Sequence, residues 1–143
     1  MKWITRKNVK VDRVACPWLI RRFIDGQAEF LFVEEGDLLN RAETEGAIPF
    51  DAPRISSIKL NHRGTRCTFE AIIEDYAIDD PALHRLALIV RSADVVGQES
   101  VAAEGIGLRS IAHGYAALNL SDEERLAKQF PVYDALYAYA QGR

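Results

Sequence analysis

The segment from Asn61 to Glu70 sets an imidazole, a thiol, a carboxylate and two guanidinium groups between a strand signal and a helix signal. Loops in such positions carry function more often than cores do. Backbone N–H groups at the helix start, flanked by Arg63 and Arg66, would form a nook for an anion. His62 is open to three roles: metal ligand, general base or hydrogen-bonding turn residue. Cys67 is a redox candidate, because a thiol beside a helix N-terminus and arginines should ionise more easily. A purely structural role stands beside each of these readings.

Two further features exceed the needs of a plain core. Trp18, Arg21, Arg22 and Asp25 share the polar face of an early helix. That combination offers stacking, cation–π contact and forked donors for an oxyanion. The plainer alternative is a solvated face whose tryptophan is covered by another element. Asp94 continues the apolar stripe of a later helix and is expected to point inward. A buried carboxylate needs a cation, a metal or several donors. Capping the helix end or pairing with Arg91 would serve equally well. His84 and His113 lie off the apolar faces of their helices and read as surface residues.

These groups must be positioned by a mixed set of elements. Leu19, Ile20, Phe23 and Ile24 fall on one face of a helix over residues 17–24, with Pro17 expected in its first turn and Asp25-Gly26 ending it. Glu29 to Val33 reads as a strand, and Asp37 to Glu45 as a short helix stopped by Gly46. Residues 47–50 and 58–61 are short strand candidates on either side of an Asp-Ala-Pro turn. Phe69, Ile72, Ile73 and Tyr76 share a helical face; Asp80 caps and Pro81 opens the next helix, which carries Leu83, Leu86, Ala87 and Val90. Residues 100–118 are more weakly helical. Ser121 and Glu124 form a capping box, and Pro131 is expected to break or restart the final helix. The result is an α+β fold, mainly α-helical, in which several packed helices accompany a small β-sheet from the N-terminal half.

Composition narrows the function classes. A chain of 143 residues is long enough to bury a core without staples, and residues 1–143 read as a single domain. A formal charge of −3 disfavours a whole-surface polyanion binder. Two cysteines, Cys16 and Cys67, are too few for a disulfide scaffold and suit a reducing compartment. No signal-like or membrane-spanning apolar run is present, which points to a cytoplasmic protein with no membrane role. The spacing of Cys16, His62 and Cys67 matches no zinc-finger pattern, and no Walker loop, nucleophile elbow or dinucleotide fingerprint occurs.

Several blocks together resemble the C-terminal domain of the chromate-resistance ChrB family: Trp3 to Arg6, Val11 to Asp25, Glu29 to Phe32, Gly46 to Asp51, His62 to Glu70, Asp79 to Leu83, Ile89 to Asp94 and Val132 to Tyr137. The resemblance runs over nearly the whole chain, and the block from Asp12 to Phe23 is its most specific part. It implies a role in chromate-responsive regulation of an efflux operon, and retention of the family positions matching Arg13, Trp18, Arg21, Arg22, His62, Cys67 or a neighbour, Glu70 and Asp94. Full-length members carry an additional N-terminal region outside these 143 residues. Direct nucleic-acid binding is therefore not expected here; a separate regulatory N-terminal partner or a homo-oligomer is. Two site hypotheses follow. In one, His62, Glu70 and Asp94, with Asp12 as an optional addition, hold a divalent ion such as zinc, iron or manganese. In the other, Arg13, Arg21, Arg22 and Arg63 bind chromate or another small oxyanion. A buried ion-pair network serving structure or partner binding is the third reading. The inward Asp94 favours the metal.

Overall fold

The computed structural model describes residues 1–142. In chain order it comprises β1 (Lys2–Arg6), α1 (Asp12–Phe23), β2 (Glu29–Val33), α2 (Leu38–Glu45), β3 (Ile48–Pro49), α3 (Thr68–Asp75), α4 (Pro81–Asp94), α5 (Glu104–Ala116) and α6 (Asp122–Gln141). Short 3-10 turns at Glu35–Asp37 and Glu99–Val101 complete the set. The fold is thus mainly helical α+β, with its small sheet in the N-terminal half, as the patterning predicts.

The three strands are parallel in the order β2-β1-β3. The central strand β1 carries no period-2 alternation, because Trp3, Ile4 and Thr5 are all buried in succession. A strand covered on both faces reads this way, and sequence patterning misses it. Trp3 faces the main core with α1, α3, α4 and α6, whereas Ile4 packs with Leu38 and Ala42 of α2 on the other side. The sheet therefore separates a thick helical layer from a thin one. Its register sets Trp3 opposite Phe30 and Ile48. Of the second strand candidate, only a bridge between Phe50 and Leu60 forms.

Helix α1 begins at Asp12, so Pro17 lies inside it rather than in its first turn. Burial of Val14, Leu19 and Ile20 offsets the hydrogen bond that proline removes. The extension matters, because it makes Asp12 part of the first helical turn. Pro131 likewise leaves α6 continuous. It and Ala127, whose carbonyl it frees, are both exposed, so water can satisfy that group. The remaining signals appear where expected. Gly46 ends α2 in the left-handed region, Asp80 accepts from the N–H groups of Ala82 and Leu83, and Ser121 and Glu124 cap each other's backbone.

On the polar face of α1 the plainer alternative holds at Trp18, which is covered by another element and is 1% exposed. Its ring stacks on Phe69 at 6.4 Å and meets Tyr133 and Tyr137 of α6, and its indole N–H donates to Asp134 at 2.7 Å. Arg22 forks onto the same Asp134 carboxylate at 3.0 Å through both nitrogens. Arg21 donates to the Ala28 carbonyl and lies over the rings of Phe30 and Phe130. Asp25 accepts from the N-terminal ammonium and the Trp3 indole. The face is a clasp between α1, α6 and the sheet.

At Gly105, α5 lies directly against Ser92 of α4. A Cβ there would lie 1.9 Å from Ser92 Oγ and 2.9 Å from the Ser92 backbone carbon. Gly105→Ala is expected to cost about 1–3 kcal/mol in urea denaturation, since the helices must part to admit the methyl group. Ser92→Gly in the same chain should recover part of that loss, although glycine inside a helix carries its own cost of about 1 kcal/mol.

Candidate metal centre

Four segments deliver polar groups to one place. Asp12 comes from the first turn of α1, Asp51 from just beyond β3, His62 from the loop before α3, and Asp94 from the last residue of α4. The imidazole Nε2 of His62 lies 3.3 Å from Asp12 Oδ2, 3.1 Å from Asp94 Oδ2 and 3.5 Å from Asp51 Oδ1. Asp12, His62 and Asp94 each offer one ligand atom, and these atoms lie within 4.8 Å of one another.

Each carboxylate is oriented from behind. Asp12 is 1% exposed and spans the start of α3: Oδ2 accepts from the Thr68 N–H at 2.8 Å and Oδ1 from the Phe69 N–H at 3.2 Å. The Cys16 thiol also donates to Asp12 Oδ1. A carboxylate at a helix N-terminus meets both orphan N–H groups and the positive end of the dipole. Asp94 accepts from the Asp12 backbone N–H at 3.4 Å. Asp51, in the left-handed region at φ 52°, accepts from the Thr68 hydroxyl at 2.7 Å, with Arg13 and Arg6 near its other oxygen. His62 and Asp94 remain 26% and 21% exposed at the side chain, which leaves the cluster open to solvent on one side.

The electrostatics follow from this crowding. Burial, then the neighbouring Asp94 charge, raises the Asp12 carboxyl above its usual range. Burial and the charges of Asp12 and Asp94 push Asp51 up to about 7. Hydrogen bonds to Asp12 and then Asp94 raise His62 from 6.5 to about 10, so in the absence of an ion the imidazolium balances the carboxylates. A pKa raised in the folded state contributes stability below the unfolded value and loses it as pH rises through the folded one. Chelator-treated protein is therefore expected to lose stability between about pH 6.5 and 10, read as a falling urea midpoint. His62→Ala should flatten that slope.

The structure brings His62 and Asp94 together, joins Asp12 to them, and places Glu70 elsewhere. Glu70 accepts from the Cys67 N–H in a capping box and is held by Arg91 through two bonds of 3.0 and 2.5 Å. Both of its oxygens are thereby tied to α3 and α4 rather than to the cluster around His62. Cys67 is buried, and burial with the charges of Asp12 and Glu70 drives its thiol well above the ordinary range, opposite to the easy ionisation expected. The arginines do not share a pocket. Arg63 binds Glu74 and Asp75, Arg13 donates to the Arg6 and Lys7 carbonyls, and Arg21 and Arg22 are committed to the clasp on α6. His84 and His113 are exposed, as expected. Nothing in the sequence singles out Asp51 or Thr68, which sit in stretches that read as a turn and a helix start.

Fold and site together define a small α+β chain whose helix ends converge on a candidate metal-binding cluster of two aspartates and a histidine. A family model described as ChrB, C-terminal domain, matches residues 3–140. The chain belongs to that family, the chromate-resistance family its motifs resemble. Protein ChrB of Cupriavidus metallidurans is 34% identical over 139 residues, which are 96% of this chain and 40% of that relative. The chain thus spans less than half the length of the curated relative it matches. No solved structure matches. Among the described residues, no helix is long and apolar enough to cross a membrane.

Proposed function

We propose that this chain is a chromate-resistance-associated metal-binding domain that holds one divalent cation through Asp12, His62 and Asp94. The observation that carries the reading is the convergence of three ligand atoms from α1, a loop and the end of α4, two of them at the solvent edge. Imidazole and carboxylate oxygen suit zinc, iron or manganese. The hydrogen bonds behind Asp12 are of the kind that orient metal ligands. With an ion bound, the imidazole must give up its proton, so affinity rises with pH.

The oxyanion reading has less support, because Arg21, Arg22 and Arg63 are each engaged by carboxylates, carbonyls or rings. In the metal reading, the exposed edge of the cluster leaves room for water or a small exogenous ligand on the ion.

Elemental analysis tests the assignment on protein purified without a metal-affinity resin. Near-stoichiometric metal is expected in the parent, falling by at least tenfold in His62→Ala and Asp94→Ala. A parent that stays empty after incubation with zinc, iron(II) and manganese(II) overturns it.

A further inference from the structure

We propose that Asp51 is a fourth protein ligand of this ion, and that the completed set of three carboxylates and one imidazole takes a six-coordinate, oxygen-preferring cation of the manganese(II) or iron(II) type. The inference rests on the metal-binding reading above and deepens it by naming the class of ion.

Three carboxylate oxygens surround His62 Nε2, at 3.1, 3.3 and 3.5 Å, and the third belongs to Asp51. Adjacent ligands of an octahedral ion with bonds near 2.1 Å lie about 3 Å apart, so the Asp12 and Asp94 oxygens sit close to positions beside the imidazole. The Asp51 oxygen lies outside the trio whose atoms are all within 4.8 Å of one another, and reaches the same ion after a small inward shift. Asp51 is 3% exposed, and its backbone lies in the left-handed region at φ 52°. The conformation is held by the Asp51 N–H donating to the Leu60 carbonyl at 2.8 Å and by Arg6 Nε donating to the Asp51 carbonyl at 3.0 Å.

The surroundings of its carboxylate match those of a metal ligand. The oxygen facing His62 takes one hydrogen bond, from the Thr68 hydroxyl at 2.7 Å, and keeps a second lone pair. The other oxygen is turned away toward Arg13 at 3.5 Å and Arg6 at 3.7 Å. A ligand fixed at one oxygen by a hydroxyl and at the other by cations is aimed before the ion arrives. The two guanidinium groups also offset the third negative charge, which a divalent ion alone would leave uncompensated beside a buried wall. Thr68 links the two buried carboxylates, its N–H on Asp12 and its hydroxyl on Asp51, so the start of α3 sets their spacing.

The ligand set then decides the ion. Oxygen-rich sites suit manganese, whereas zinc is satisfied by three protein ligands and a water. Removing Asp51 should therefore hurt manganese more than zinc. The experiment titrates chelator-treated full chain and Asp51→Asn with manganese(II), followed by the free-ion paramagnetic resonance signal, and with zinc(II) in competition. One manganese ion per parent chain is expected, with at least a tenfold loss of manganese affinity in Asp51→Asn and less than a threefold change for zinc. Equal changes for both ions, or none, overturn the role of Asp51 while leaving the three-ligand site standing. No binding of either ion to the parent overturns both. Should Asp51→Asn fail to fold, a crystal structure of the manganese-loaded parent decides: an Asp51 oxygen bonded to the ion supports the proposal, and one outside its coordination sphere overturns it.

Discussion

Asp12→Ala is expected to abolish metal binding and, even in chelator, to destabilise the fold by about 3–5 kcal/mol. The side chain does two tasks at once. One oxygen faces His62 and the Thr68 N–H, and the other takes the Phe69 N–H and the Cys16 thiol. Alanine leaves two buried N–H groups at the start of α3 without an acceptor, each worth about 1–3 kcal/mol. Asp12→Asn retains one acceptor oxygen and should lose less stability, yet lose metal as completely. Urea midpoints in chelator, set beside elemental analysis, separate the two tasks. If Asp12→Ala matched the parent in chelator, the cap on α3 would have no energetic weight.

Trp18→Ala carries a comparable cost, about 3–5 kcal/mol, for a different reason. Its ring fills the space between α1, α3 and α6 against Phe69, Tyr133 and Tyr137, and alanine removes both that volume and the indole bond to Asp134. Trp18→Phe keeps most of the apolar volume and loses the indole hydrogen bond, so about 1 kcal/mol beyond the packing change is expected. Asp134 would retain Arg22 as a partner in either variant. Thermal unfolding provides the scale: a loss of 3–5 kcal/mol in a chain of this size lowers Tm by about 10 °C or more. Below the transition both variants should still bind metal, because Trp18 touches none of the converging carboxylates. Loss of metal with the fold intact would overturn that separation.

Much of the fold was legible because its signals are local. Strand Glu29–Val33, the helix ending at Gly46, the cap at Asp80 and the box at Ser121 each rest on residues within one or two turns. Strand β1 was not legible, since burial on both faces erases the alternation that marks a strand. Pro17 and Pro131 misled because their cost is local while its compensation, packing for one and solvent for the other, is not. The site divides the same way. Asp94 stood out as a carboxylate on an apolar stripe, and His62 as an imidazole in a polar loop. Glu70 shared those credentials and was taken by Arg91, a pairing decided by how α3 meets α4. Asp51 announced nothing, because its importance lies in the turn that swings it toward His62.

The four acidic and imidazole groups of the cluster stand at positions 12, 51, 62 and 94, spread over more than half of the 143-residue chain. None can find the others through neighbouring residues; β1 must first be flanked by β2 and β3, and α3 must seat on Asp12. An ion that needs all of them grips only a chain whose folding is nearly finished. Metal would then act as a latch rather than a nucleus: it would leave the rate of folding almost untouched and slow the rate at which the finished molecule comes apart.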